Sequence, residues 1–185
     1  MKKEMRVIGI DDGPHEFHDA RVLVVGAVCR GGESLDGLLS CSVDKDGDDA
    51  TLTVAGMIDG SKFEPALQVI FLDGIAVGGF NIINILKLHE LTRIPVIVIM
   101  RKEPDVQMML HALEKAGMPH KKRLLEKLPA PIRHNDILFQ CAGIDEAKAK
   151  EAITICTTRA NIPEPIRLAH IIAGGIKDGQ SRGRA

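Results

Sequence analysis

The chain has 185 residues, 45% of them hydrophobic, with 24 Lys and Arg against 25 Asp and Glu for a net charge of −1. This is enough apolar material for the core of one domain. It excludes a strong global basic field, though a local basic groove for nucleic acid stays open.

The opening MKKEMRVIGID has no apolar stretch long enough for a signal peptide, and the most apolar region is broken by Asp73 and several glycines. A cytoplasmic protein is expected. Val7 to Ile10, Val22 to Val28 and Leu38 to Val43 are short apolar or β-branched runs between Gly, Asp and Pro clusters, the pattern of strands. The first two are expected to join the third in an antiparallel meander, with Gly31-Gly32-Glu33-Ser34 as a hairpin turn. The acidic loop Asp44 to Asp49 leads into a helix capped by Asp48 or Asp49, with Leu52, Ala55 and Met57 or Ile58 at helical spacing.

From Ala66 the pattern alternates: strand Leu67 to Leu72, helix from about Phe80 to Leu91, strand Val96 to Met100. Parallel pairing follows, in a sheet covered on both faces. Pro104 starts an amphipathic helix ending at Gly117, Pro119 to Lys127 is a short basic helix, and Ile137 to Cys141 is a further strand. Helices from Asp145 to Arg159 and from Pro163 to Ala173 complete the reading, and 177–185 is a basic, mobile tail behind a single domain of 1–176. Three antiparallel strands, a helix, then strand–helix units is the order of a ribonuclease-H-like α/β fold with a mixed sheet. A flavodoxin-like doubly wound sheet is the rival, and the meander without helices favours the first.

Two of these strands end in aspartate, Ile10-Asp11-Asp12-Gly13 and Leu72-Asp73-Gly74. If they are neighbours, Asp11 and Asp73 converge on a divalent cation such as Mg²⁺ or Mn²⁺, which could activate water for phosphodiester hydrolysis. Asp12 could add an outer contact, and Asp49 is the choice for a third acid. The competing reading is turn capping, which Asp before Gly often performs. The turn Gly74-Ile75-Ala76-Val77-Gly78-Gly79-Phe80-Asn81 is neither a Walker loop nor GxGxxG. Its glycines let backbone approach a ligand, so Gly74, Gly78, Gly79, Phe80 and Asn81 are candidates for holding a base, with Phe80 over its face. The chain has no Trp or Tyr and five Phe, so stacking falls to Phe, His or Arg.

Arg167 and His170 lie three residues apart on a helix and could contact phosphate or orient water. Lys62, Lys121, Lys122, Arg123, Arg182 and Arg184 are further candidates for phosphate contacts, although exposed charges of this kind are usually solvated surface. Cys29, Cys41, Cys141 and Cys156 stand singly, without metal-ligand spacing, and read as reduced core residues.

Taken together, IGIDDG, DATLTVAGMI, IFLDGIAVGGFNIIN, PVIVIMRKEPD and PEPIRLAHIIAGGIKDGQSRGRA resemble the archaeal domain-of-unknown-function 99 family, termed endonuclease dU, over nearly the whole chain. That family looks like a relative of endonuclease V. The resemblance implies a ribonuclease-H-like fold and Mg²⁺-dependent cleavage of DNA beside a deaminated base, here deoxyuridine, as in DNA repair. By position it implies that Asp11 and Asp73 are metal ligands, that the glycine turn is the base pocket, and that Pro163-Glu164-Pro165-Ile166-Arg167 matches a Pro-Glu-Pro-Thr-Arg stretch. The chain departs from endonuclease V at Gln140-Cys141-Ala142-Gly143-Ile144, where no Gly-His pair stands, and it lacks clear counterparts of the glutamate segment and the tyrosine wedge. The third ligand and proton-transfer group are therefore open to His170 or Asp49. A non-catalytic nucleic-acid-binding module and a nucleotide-binding α/β protein are the alternatives, and a homodimer is among the assemblies considered.

Overall fold

In the computed structural model, which describes residues 1–181, three antiparallel strands come first: β1 (Arg6–Asp12), β2 (Arg21–Arg30) and β3 (Ser34–Asp44). Helix α1 (Ala50–Ile58) leads to β4 (Leu67–Asp73), a small hairpin of β5 (Ala76–Val77) and β6 (Asn81–Ile82), α2 (Ile85–Thr92) and β7 (Val96–Met100). Helices α3 (Val106–Lys115) and α4 (Lys122–Glu126) precede β8 (Ile132–His134) and β9 (Ile137–Ala142), and α5 (Glu146–Cys156) and α6 (Glu164–Asp178) follow. The main sheet has the order β3-β2-β1-β4-β7-β9-β8. Strands β1, β4 and β7 are parallel, with antiparallel pairs on both flanks.

The period of two along a strand divides the core between the sheet's faces. Ile8, Ile10, Ile70, Leu72, Val96 and Val98 pack on one side with buried residues of α1 and α2. Val7, Val69, Phe71, Ile97 and Ile99 pack on the other, with Ile153 of α5 and Ile166 of α6. Both faces of β1 and β4 are therefore apolar, which is why those strands read as unbroken hydrophobic runs. Helix α6 lies directly on β1. A Cβ on Gly9 would sit 2.2 Å from the Pro165 carbonyl carbon, so only glycine permits that approach.

Several boundaries differ from the sequence reading. The helix expected from Phe80 begins at Ile85, because Asn81–Ile82 turns back to pair with Ala76–Val77 and Asn84 caps the helix by accepting the Lys87 N–H at 3.0 Å. Helix α6 runs on to Asp178, so Lys177 belongs to a helix and pairs with Asp19 at 2.9 Å. Arg182 and Arg184 lie outside the described residues. β9 returns antiparallel to β7, and β8 is an additional short edge strand. Among the described residues the four cysteines are free, with Cys29 and Cys156 buried, and no helix is long and apolar enough to cross a membrane.

Candidate metal centre

Asp11 and Asp73 meet because of register. In the parallel pair Ile10 stands against Leu72, so one step further brings the two aspartates side by side at the carboxyl ends of β1 and β4, on the α6 face. Helix α6 completes the group. Its stripe Ile166, Ala169 and Ala173 is buried against the sheet, which carries His170 over Asp11. His170 Nδ1 and Asp11 Oδ2 are 2.8 Å apart. One ligand atom from each of Asp11, Asp73 and His170 falls within 4.8 Å of the others, and the three border an open cleft of about 440 Å³.

The electrostatics follow from burial. Asp11 is 6% exposed, and loss of water, reinforced by the nearby charges of Asp73 and Asp12, pushes its carboxyl up to about 7 despite the His170 hydrogen bond. Asp73 is also shifted upward by burial, opposed by the positive charge of Arg101, whose guanidinium donates to Asp73 Oδ2 at 2.8 Å. A buried and a half-buried carboxylate with raised proton affinity are a site that a divalent cation would stabilise. Their oxygen donors suit Mg²⁺ or Mn²⁺, and the imidazole offers a nitrogen.

The residues around the centre serve mainly to hold loops. Asp12 Oδ2 accepts the Gly78 N–H at 2.9 Å, tying the glycine turn to β1. Gly78 and Gly79 have φ of +57° and +84°, and a Cβ on Gly79 would lie 2.3 Å from the Asp46 carboxylate, which accepts the Phe80 N–H at 2.8 Å. Asn81 is fully buried. Its Oδ1 accepts the Ala50 N–H, capping α1, and its Nδ2 donates to the Asp44 carbonyl and to Asp49 Oδ1. Asn81 is therefore committed to the loop and is not free to contact a base. Asp49 is likewise engaged, by Asn81, Thr53 and the Asp44 N–H, and stands outside the converging Asp–Asp–His group.

Lys121 overturns its surface reading. It is 1% exposed, and its ammonium donates to the carbonyls of Asp46, Gly47 and Phe80 at 2.8, 2.6 and 2.8 Å. Lys122 pairs with Glu114. Arg167 is held by Glu164 through an Nε–Oε2 bond of 2.8 Å and does not border the cleft with His170. Lys62 lies against the Phe63 ring ahead of β4, whose seven residues, spanning about 20 Å, carry Asp73 at their far end. Gly74, with φ +81°, turns the chain away from Asp73, and Phe80 is half-buried. Sequence reasoning missed Arg101 and the cleft-lining His15. Arg101 carried one signal, a cation immediately after a strand that pairs with β4.

The sheet order and the two strand-end aspartates beneath a helix place the chain in the ribonuclease-H-like α/β class. Solved structures of similar fold include the catalytic domain of human endonuclease V, 17% identical with TM-score 0.59 over 91% of this chain and 80% of that one. Another is Ciona intestinalis endonuclease V, crystallised with a 24-mer DNA containing an inosine followed by a ribo-adenosine, 13% identical with TM-score 0.58 over 89% of this chain and 82% of that one. Residues 3–177 match the endonuclease dU family, and the chain belongs to it. A UPF0215 protein of Methanothermobacter thermautotrophicus is 43% identical, over all of this chain and 94% of that one. A protein of unknown function from Archaeoglobus fulgidus, solved as a crystal structure, is 35% identical with TM-score 0.85 over 92% of this chain and 97% of that one.

Proposed function

We propose that the chain is a metal-dependent endonuclease that hydrolyses a DNA phosphodiester near deoxyuridine or another deaminated base. The observation that carries this reading is the convergence of Asp11, Asp73 and His170 in an open cleft at the ends of two adjacent parallel strands. Membership of the endonuclease dU family supports it. Mg²⁺ or Mn²⁺ held by Asp11 and Asp73 would neutralise the scissile phosphate and acidify a bound water. Ionised Asp11 accepts from His170 Nδ1–H, which fixes the tautomer and leaves Nε2 to take a proton from the attacking water. Arg101 is 40% exposed and bonds Asp73 through one nitrogen, so it has donors to spare for a phosphate oxygen.

The test is single-turnover nicking of DNA containing one deoxyuridine. Asp73→Asn is expected to lower the rate by at least about a hundredfold, the scale of losing a key transition-state stabiliser. An unchanged rate defeats the assignment. Binding of that DNA without cleavage by the unaltered protein, in either Mg²⁺ or Mn²⁺, would leave a binding module instead.

A further inference from the structure

A second cavity of about 160 Å³ opens at the same strand ends on the other face of the sheet, walled by Ile75, Met100, Val106, Met109 and Leu125, with Gln140 of β9 among its lining. The face follows from register: Gln140 pairs with Val98, on the Leu72 side, whereas Asp73 pairs with Ile99, on the Phe71 side. Ile75 comes two residues after Asp73, and Met100 immediately precedes Arg101. The cavity and the metal centre thus lie on either side of one strand edge.

Gln140 is 6% exposed, and its Nε2 donates to the Pro129 carbonyl at 2.6 Å. A carbonyl only accepts, so the amide nitrogen must face Pro129 and the carboxamide cannot sit the other way round. Its Oε1 has no protein donor, yet among the described residues every fully enclosed side-chain nitrogen or oxygen has a partner. That oxygen is therefore not sealed in, and Gln140 is one of the residues that line the cavity. An aliphatic cavity of roughly 150 Å³ admits a benzene ring. This one has room for a single six-membered ring and a fixed acceptor to read it.

Resting on the nuclease reading, we infer that this cavity receives an extrahelical pyrimidine and that Gln140 is its specificity-determining residue, selecting uracil by accepting the N3–H beside the ring carbonyl. Cytosine offers a bare ring nitrogen at that edge, which faces the fixed oxygen as a second acceptor. Thymine shares uracil's edge and differs by a methyl group, which the aliphatic walls must refuse. Hypoxanthine carries the same N–H and carbonyl but has a second ring.

Metal-free full-length protein, titrated by fluorescence anisotropy with single-stranded oligonucleotides carrying one dU, dC, dT or dI, reads this without cleavage. The unaltered protein is expected to bind the dU strand roughly tenfold more tightly than the dC strand, the scale of one well-made hydrogen bond in a dry pocket. Gln140→Leu is expected to lose that ratio while keeping its dC affinity, and Met109→Ala to admit dT. Val106→Trp, at a position 48% exposed and so tolerant of change, is expected to fill the cavity and bring dU binding down to the dC level. A uracil preference that survives in a folded Gln140→Leu protein, or in Val106→Trp, overturns the inference. Uracil-selective binding with no cleavage once Mg²⁺ or Mn²⁺ is added would sink the nuclease reading alone, whereas metal-dependent cutting at dU with equal selectivity in Gln140→Leu would sink only the pocket.

Discussion

Asp11 holds its charge in a buried place, and the cost of doing so has a sign that can be measured. Its carboxyl is raised to about 7 in the fold, chiefly by burial, against an ordinary value of 3.8. Between those values the folded state keeps a proton that the unfolded state has lost, so Asp11's contribution to stability is greatest below about 4 and is lost as pH rises through 7. The metal-free protein is therefore expected to lose on the order of a few kcal/mol across that window, read as a falling Tm. Asp11→Asn should flatten the profile and melt higher than the unaltered protein at pH 8. Mg²⁺ should restore the unaltered protein at pH 8 by binding only the folded form, and should do little for Asp11→Asn. A flat profile in the unaltered protein would mean that Asp11 stays hydrated.

At the scale of elements, β1 and α6 act as one unit because Gly9 lets the Pro165 backbone rest against the strand. Gly9→Ala is expected to cost at least about 2 kcal/mol by overpacking and to move His170 off Asp11, lowering cleavage about a hundredfold. Denaturant melts and nicking rates check the two effects separately. Lys121 is the corresponding tie between the 46–47 loop and the glycine turn. Lys121→Met leaves three carbonyls without their shared donor, and a loss of about 3–5 kcal/mol in denaturant melts is expected. Strands β1, β4 and β7 were legible in the sequence because burial on both faces writes itself as continuous Val and Ile. The β5–β6 hairpin was not, since Ile82, Ile83 and Ile85 mimic a helix start while the partners that decide the matter, Asp46, Asp49 and Lys121, are distant in sequence. Lys121 reads as surface for the same reason: nothing nearby announces that three carbonyls will surround it.

Across the whole molecule, the sequence reveals groups attached to strand ends and hides those assembled from several segments. Asp11 and Asp73 could be paired from strand patterning and parallel register alone, but the Gln140 cavity draws its walls from β7, α3, α4 and the segment before β8. Charge is also legible only in total. The net value of −1 conceals how many cations are already engaged: Lys121 inside the fold, Arg167 with Glu164, Lys122 with Glu114, Lys177 with Asp19. With acids and bases nearly balanced, the protein offers a duplex little net positive field. Binding to undamaged duplex DNA is therefore expected to be weak, with a plot of log K against log salt of slope only about −2 to −3, equivalent to two or three phosphates. Anisotropy titrations over a salt series, without divalent cations, check this, and a slope steeper than about −6 would require a basic groove that these pairings argue against. A shallow slope also assigns the source of selectivity. An enzyme that gains little from the backbone dwells little on intact DNA, and most of its affinity must come from a base that leaves the stack cheaply, as a mismatched or unpaired uracil does.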